Sequence, residues 1–392
     1  MSDSNEEILY ITDPHPDIEN NIKRKPFEYY VRHPASGINE DTGLIFCICG
    51  YGSAPESSYE KDTLRPYLAD KYNCLTIGVN YFGCHIKYHY TRMVIHEFFD
   101  RLRQHHNVTG IDNPDQLEGY ELFCSLCPSL LSNGIKRLHP ECLVGAYSPG
   151  EYTNFGLLPA IDHLHVLGEI FKKYKINKDR VYALGTSYGG YIVLMMAMMA
   201  PQTFSLIVEN SGFSLTETDI FGHNNKQLLA NWVTINGVEV LQTEIGLWSQ
   251  DPESPHYFAP HNEQIRNLLI EEHWNPIRTC FYGYHCEADK LASVKNKIHL
   301  YQMLKKKTRA HLLVINEDNI DGRLFRSLDH GANASDRGLF DLSYEKHLSA
   351  ESTQQGVPND FDRQSCYSFF CGQKVYQCTY FKDGLRLTLA SS

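Results

Sequence analysis

Residues 181–200, VYALGTSYGGYIVLMMAMMA, hold a short apolar strand, a tight turn at Gly185-Thr186-Ser187-Tyr188-Gly189, and a helix that is apolar all round. A G-x-S-x-G spacing between strand and helix puts Ser187 on a strained turn, so that its hydroxyl stands clear of the sheet edge. The flanking glycines are needed because a Cβ at either position would meet the neighbouring strand or helix. The helix start behind the turn brings free N–H groups and the positive dipole end toward charge developing on a substrate. Ser187 is therefore a candidate nucleophile, and Met195, Met196, Met198 and Met199 read as core filler beneath the sheet.

Working outward, residues 43–49 (GLIFCIC) form a continuous apolar run, the mark of a strand buried on both faces of a mostly parallel sheet. Similar runs recur at 75–79, 204–208, 278–284 and 311–315, while the alternation at 27–31 (FEYYV) suits an edge strand. Helices are predicted near 59–71, 157–174 and 294–305; in the second, Leu157, Ile161, Leu164 and Phe171 share one face. Alternating strands and helices give an α/β protein with a central sheet flanked by helices. Two stretches break the rhythm, at about residues 83–150 and 213–276, and both are expected as lid-like insertions in a main domain spanning residues 1–350. In the second, a helix is expected near 263–272; Trp232, Trp248, Tyr257 and Phe258 either line a pocket or form the insert's own core. The tail, residues 351–392, carries a predicted β-hairpin at 379–389 around Asp383-Gly384. Two strands are marginal alone, so the tail should pack on the body or on a second subunit, making a homo-oligomer.

The serine turn resembles the nucleophile elbow of the α/β-hydrolases, whose chains place Ser, then Asp or Glu, then His on loops after successive strands. Ser187, Asp289 and His330 fit that order. His330 would accept the Ser187 proton and return it to the leaving group, and Asp289 would hold the His330 tautomer. Glu287 is the alternative acid, and His285 a weaker alternative base. The glycine-flanked loop after the 43–49 strand assigns one oxyanion-hole N–H to Tyr51, with the second from Tyr188. Asn80, Tyr81 and Ser211, at strand ends on the same edge, are the candidate substrate contacts.

A formal charge of −11 argues against nucleic acid or an anionic membrane as partner. No apolar stretch approaches the roughly 20 residues of a membrane span. The start, MSDSNEEILY, lacks a basic segment followed by an apolar run, so a cytoplasmic location is expected. The twelve cysteines read as reduced thiols, several inside core strands (Cys47, Cys49, Cys74, Cys280). Cys124 and Cys127 with His139 and Cys142 have a zinc-like pattern, but the second pair is unusually spaced, so neither metal nor other cofactor is expected. His85 and His89 are expected to be solvated or hydrogen-bonded.

Beyond the elbow, the chain resembles a bacterial family known as domain of unknown function 2920. The shared features run from about Phe46 to Phe340: Val79-Asn80-Tyr81; Tyr152-x-Asn154-Phe155-Gly156 with Ala160 and Asp162; the Ser187 turn; Ser254-Pro-x-Tyr257-Phe258; Asp289; and Ile320-Asp321-Gly322 ahead of Leu328-Asp329-His330-Gly331. The resemblance implies a cytosolic serine hydrolase. Genes of this group often occur among flagellar or surface-glycan loci, which implies an acylated sugar or sugar nucleotide, a small-molecule or glycan ester, as substrate. A carboxyl-ester hydrolase removing O-acetyl groups from a carbohydrate is the leading expectation. A prolyl-oligopeptidase-type peptidase shares the Ser–Asp–His order, although no β-propeller precedes the domain here. An acyltransferase shares the acyl-enzyme, and a hydrolase fold retained as a binding subunit is the reading outside catalysis.

Overall fold

Apolar strands with no polar face need cover on both sides, and the fold supplies it with helices packed on a twisted sheet. The computed structural model describes residues 7–89, 104, 119–147, 150–216, 228–245, 247–349 and 356–392. In chain order its first strands are β1 (Ile8–Thr12), β2 (Phe27–Arg32), β3 (Gly43–Ile48), β4 (Cys74–Val79), β5 (Ile86–His89), β6 (Arg137–Tyr147), β7 (Val181–Thr186) and β8 (Leu206–Asn210). There follow β9 (Leu228–Ile235), β10 (Val238–Ile245), β11 (Cys280–Cys286), β12 (Ala310–Ile315), β13 (Cys366–Cys371), β14 (Lys374–Phe381) and β15 (Gly384–Ser391). The helices are α1 (Arg65–Tyr72), α2 (Gly119–Ser132), α3 (Leu157–Lys173), α4 (Tyr188–Met199), α5 (Pro260–Arg266), α6 (Val294–Leu304), α7 (Asp336–Ser349) and the short α8 (Asp360–Arg363).

The chain divides into two units, one of residues 1–85, 154–216 and 260–392 and the other of 86–153 and 217–259. The first unit is built on an eight-stranded sheet in the order β1-β2-β4-β3-β7-β8-β11-β12. Strands β1 and β2 are antiparallel to their neighbours, and the remaining pairs are parallel. This mixed, mostly parallel sheet flanked by helices is an α/β-hydrolase fold. Helix α4 is buried along its whole length, its four methionines included, which explains its lack of a polar side. Strand β2 alternates in burial but is not the edge, as its pattern suggested: β1 pairs outside it, with Ile11 turned to solvent. Helix α5 ends at Arg266, short of the predicted 272, because the Asn267 side chain accepts the Leu269 N–H at 2.9 Å and turns the chain.

The C-terminal residues form three strands rather than a two-stranded hairpin. β13 adds antiparallel to β14 through a turn at Gly372, which has φ 62°. One face buries Phe369, Cys371, Tyr376, Cys378, Tyr380 and Leu387, and the Tyr380 hydroxyl donates to the Met199 carbonyl at the end of α4 at 3.0 Å. Buried area on one face supplies what an isolated hairpin lacks.

In the second unit, strands from the two sequence insertions share one sheet in the order β5-β6-β10-β9, with β6 and β10 parallel. Trp248 packs edge-on against Tyr152 and Phe258, with ring centroids 5.7 and 5.1 Å away, so these aromatics form that unit's own core. The side chains of Trp232, His89, His139 and Cys142 lie outside the described residues, so the zinc pattern does too. Cys127 is buried on α2, and His85 lies 3.5 Å from Glu56. Among the described residues no helix is long and apolar enough to cross a membrane.

Candidate active site

Strand β7 ends at Thr186 and α4 begins at Tyr188, leaving Ser187 alone on the turn with φ 57° and ψ −120°. Side-chain-bearing residues rarely adopt this conformation, and such strain persists only where the surroundings impose it. The surroundings here are backbone. A Cβ on Gly185 would collide with the Gly189 carbonyl, and one on Gly189 with the Ile48 carbonyl oxygen at the end of β3. The Ser187 N–H donates to the Asn210 carbonyl at 2.7 Å, extending the β7–β8 ladder past the strand. The Thr186 hydroxyl donates to Asp336 at 2.7 Å, tying the turn to α7.

His330 lies on the long loop after β12, which ends at Ile315, and Asp289 on the short turn after β11, which ends at Cys286. His330 Nε2 is 2.7 Å from Ser187 Oγ, and its Nδ1 is 2.8 Å from Asp289 Oδ2. Asp289 Oδ1 accepts the backbone N–H groups of Leu291 and Ala292 at 2.9 and 3.0 Å. Burial favours the protonated Asp289 carboxyl, but the His330 and backbone hydrogen bonds outweigh it and hold the group below its ordinary value. An ionised Asp289 requires the proton on His330 Nδ1, which leaves the Nε2 lone pair facing Ser187 Oγ. The arrangement can move a proton from serine to histidine and hold the imidazolium that results.

The neighbours discriminate between the alternatives drawn from sequence. Glu287 is exposed, whereas the Asp289 side chain has no exposure. His285 is fully buried; its Nε2 donates to the Ala292 carbonyl at 2.9 Å and lies 3.4 Å from Asp289 Oδ2. Burial, reinforced by the Lys297 charge, keeps His285 below its ordinary pKa, so it braces the acid turn as a neutral ring.

A Cβ on Gly50 would stand 3.4 Å from Ser187 Cβ, so the loop after β3 runs beside the nucleophile. Its next residue, Tyr51, meets Tyr188 edge to face at 5.9 Å, and the Tyr188 hydroxyl accepts the Gly156 N–H at 2.8 Å. Both residues expected to supply oxyanion N–H groups thus flank Ser187. The three expected substrate contacts diverge. Asn80 is half-buried, with its Nδ2 3.5 Å from Glu28. Tyr81 is 2% exposed and packs on His163 and Tyr188. Ser211 has no exposure, and its hydroxyl accepts the Gly331 N–H at 3.1 Å. Tyr81 and Ser211 therefore face the core and the histidine loop, because the strand ends on which they sit are themselves covered.

Sequence reasoning missed Asn210, whose Nδ2 donates to the Gly331 carbonyl at 2.8 Å, and Phe213, whose ring centre is 6.2 Å from that of His330. It also missed Glu209 and Lys297, an ion pair at 3.0 Å with no exposed side-chain surface. A signal existed for the first residues: Glu209-Asn210-Ser211 abruptly ends an apolar strand at the edge where Ser187 stands. Lys297 carries none, since a lysine on a helix ordinarily faces water.

No curated protein matches the sequence. Among solved structures, an acylaminoacyl peptidase in complex with Z-Gly-Gly-Phe-chloromethyl ketone is similar at 13% identity and a TM-score of 0.48, covering 90% of this chain and 43% of its own. The Pyrococcus horikoshii acylaminoacyl peptidase is similar at 13% identity and a TM-score of 0.47, covering 92% of this chain and 43% of its own. Est1E from Butyrivibrio proteoclasticus with ferulic acid bound is similar at 12% identity and a TM-score of 0.47, covering 83% and 95%. The chain thus spans about two fifths of the length of the peptidases it matches. A family model described as "Protein of unknown function (DUF2920)" matches residues 131–389, which carries the resemblance into the C-terminal sheet but leaves residues 46–130, Val79-Asn80-Tyr81 included, outside the match, and the chain belongs to that family.

Proposed function

We propose that this chain is a serine hydrolase that cleaves carboxylic esters through an acyl-enzyme. The observation that carries the proposal is the unbroken relay from Ser187 Oγ to His330 to Asp289, at 2.7 and 2.8 Å. In the first half-reaction His330 Nε2 takes the Ser187 proton as Oγ attacks the ester carbonyl carbon. The N–H groups of Tyr51 and Tyr188 receive the negative charge that forms on the carbonyl oxygen. The tetrahedral intermediate collapses, the C–O bond breaks, and His330 gives its proton to the departing alkoxide. Water then attacks the acyl-serine by the same route in reverse, releasing the acid and restoring Ser187. Within this class we propose an O-acetylated carbohydrate as the substrate, on the strength of the family resemblance.

The test is hydrolysis of p-nitrophenyl esters from acetate to octanoate by wild type and Ser187→Ala. Serine-dependent turnover is expected, fastest on acetate. Preference for long chains would replace the deacetylase with a lipid-like acyl pocket. Wild-type turnover no faster than that of Ser187→Ala would remove the serine mechanism.

A further inference from the structure

The end of β8 and the residue after it hold the backbone of Ser187 and of Gly331, the residue after His330. The Asn210 carbonyl accepts the Ser187 N–H at 2.7 Å, while the Asn210 side chain donates to the Gly331 carbonyl at 2.8 Å. Ser211 Oγ accepts the Gly331 N–H at 3.1 Å, and the Ser211 N–H donates to the Tyr284 carbonyl of β11 at 2.8 Å. Both backbone polar groups of Gly331 are thus held by two adjacent side chains, of residues with no exposure and 1%. Gly331 and Ala332 have φ of 79° and 56°, so the backbone after His330 takes a turn that local preference alone does not fix. Beneath this clamp, Glu209 accepts the Gly212 N–H at 3.0 Å and pairs with Lys297 of α6, anchoring the segment to the helix that follows Asp289.

We infer that Asn210 and Ser211 are positioning residues that hold His330 in register with Ser187, so that one rigid segment sets the nucleophile's backbone and the base's loop together. The inference rests on the serine hydrolase reading above. Neither side chain touches a reacting atom; each acts through the Gly331 backbone. A loop that shifts by about 1 Å costs roughly 100-fold in rate, because the proton transfer requires Nε2 within hydrogen-bond reach of Oγ.

Ser211 itself has φ 53°, a conformation that glycine adopts freely. Ser211→Gly therefore removes the hydroxyl while relaxing the backbone, which separates positioning from stability. The experiment measures Ser187 labelling by a fluorophosphonate, kcat and KM on p-nitrophenyl acetate, and the melting temperature, for wild type, Ser211→Gly and Asn210→Ala. Expected are labelling rates and kcat lower by about 10–100-fold, with KM unchanged and Ser211→Gly melting near wild type. Labelling and kcat equal to wild type in a folded variant would overturn the inference and leave the hydrolase reading standing. A wild type that labels no faster than Ser187→Ala would overturn both. The two variants break different bonds, so if one fails to fold the other decides.

Discussion

Asp289→Asn isolates the role of the acid, because the structure dictates which way the amide must face. Asp289 Oδ1 is occupied by the Leu291 and Ala292 N–H groups at 2.9 and 3.0 Å, and only an acceptor fits there. The asparagine oxygen must take that place, which puts Nδ2 where Oδ2 now lies, 2.8 Å from His330 Nδ1. An amide N–H cannot accept from Nδ1–H, so His330 is driven to the other tautomer, with its proton on Nε2 facing Ser187 Oγ. The base then has no lone pair for the serine proton. A wrong tautomer with the geometry intact costs about 10⁴-fold in kcat, or about 5.4 kcal/mol of transition-state stabilisation. Turnover of p-nitrophenyl acetate and the rate of fluorophosphonate labelling measure the loss. Melting temperature serves as the control, since the backbone bonds to the turn are retained. Activity within tenfold of wild type would refute the tautomer argument and return the acid role to another group, Glu287 first.

Two further outcomes follow from the same structure. The Glu19–Arg266 pair is buried and bidentate at 2.5 and 2.8 Å, and Glu19 also accepts from Asn262 and Tyr376. Burial opposes ionisation of Glu19, but Arg266 and these donors outweigh it and depress the carboxyl pKa. A depressed carboxylate stabilises the fold fully above its unfolded value and loses that contribution as pH falls through the folded value. Arg266→Met should cost about 3–5 kcal/mol near neutrality, with a difference from wild type that shrinks in acid; chemical denaturation across pH would contradict this if the difference stayed constant. The strain at Ser187 gives the second. Ser187→Gly should be about 1 kcal/mol more stable than Ser187→Ala, because relief of about 1–3 kcal/mol of backbone strain exceeds the roughly 0.5–1 kcal/mol entropic cost of glycine. Calorimetry with the alanine variant melting higher would show that the turn stores no such strain.

The residues of the chain set the strands, the buried helix α4 and the serine turn by themselves, because apolar continuity and glycine placement act locally. The chain order of Ser187, Asp289 and His330 was legible for the same reason: each follows a strand, and parallel strands deliver their loops to one edge. What the sequence could not decide was which polar residues at that edge face outward. Tyr81 and Ser211 resemble substrate contacts in one dimension, and their burial follows only from what packs over the strand ends. The pairing of β1 outside β2 is likewise decided by the fold, since an edge strand is defined by what does not cover it, whereas β13 adds to β14 through a local turn at Gly372. Lys297 is the clearest case. Its helix position predicts solvent, and only the tertiary fold brings Glu209 to 3.0 Å from it, where burial lowers the Lys297 pKa and the attraction recovers only part of the loss of water.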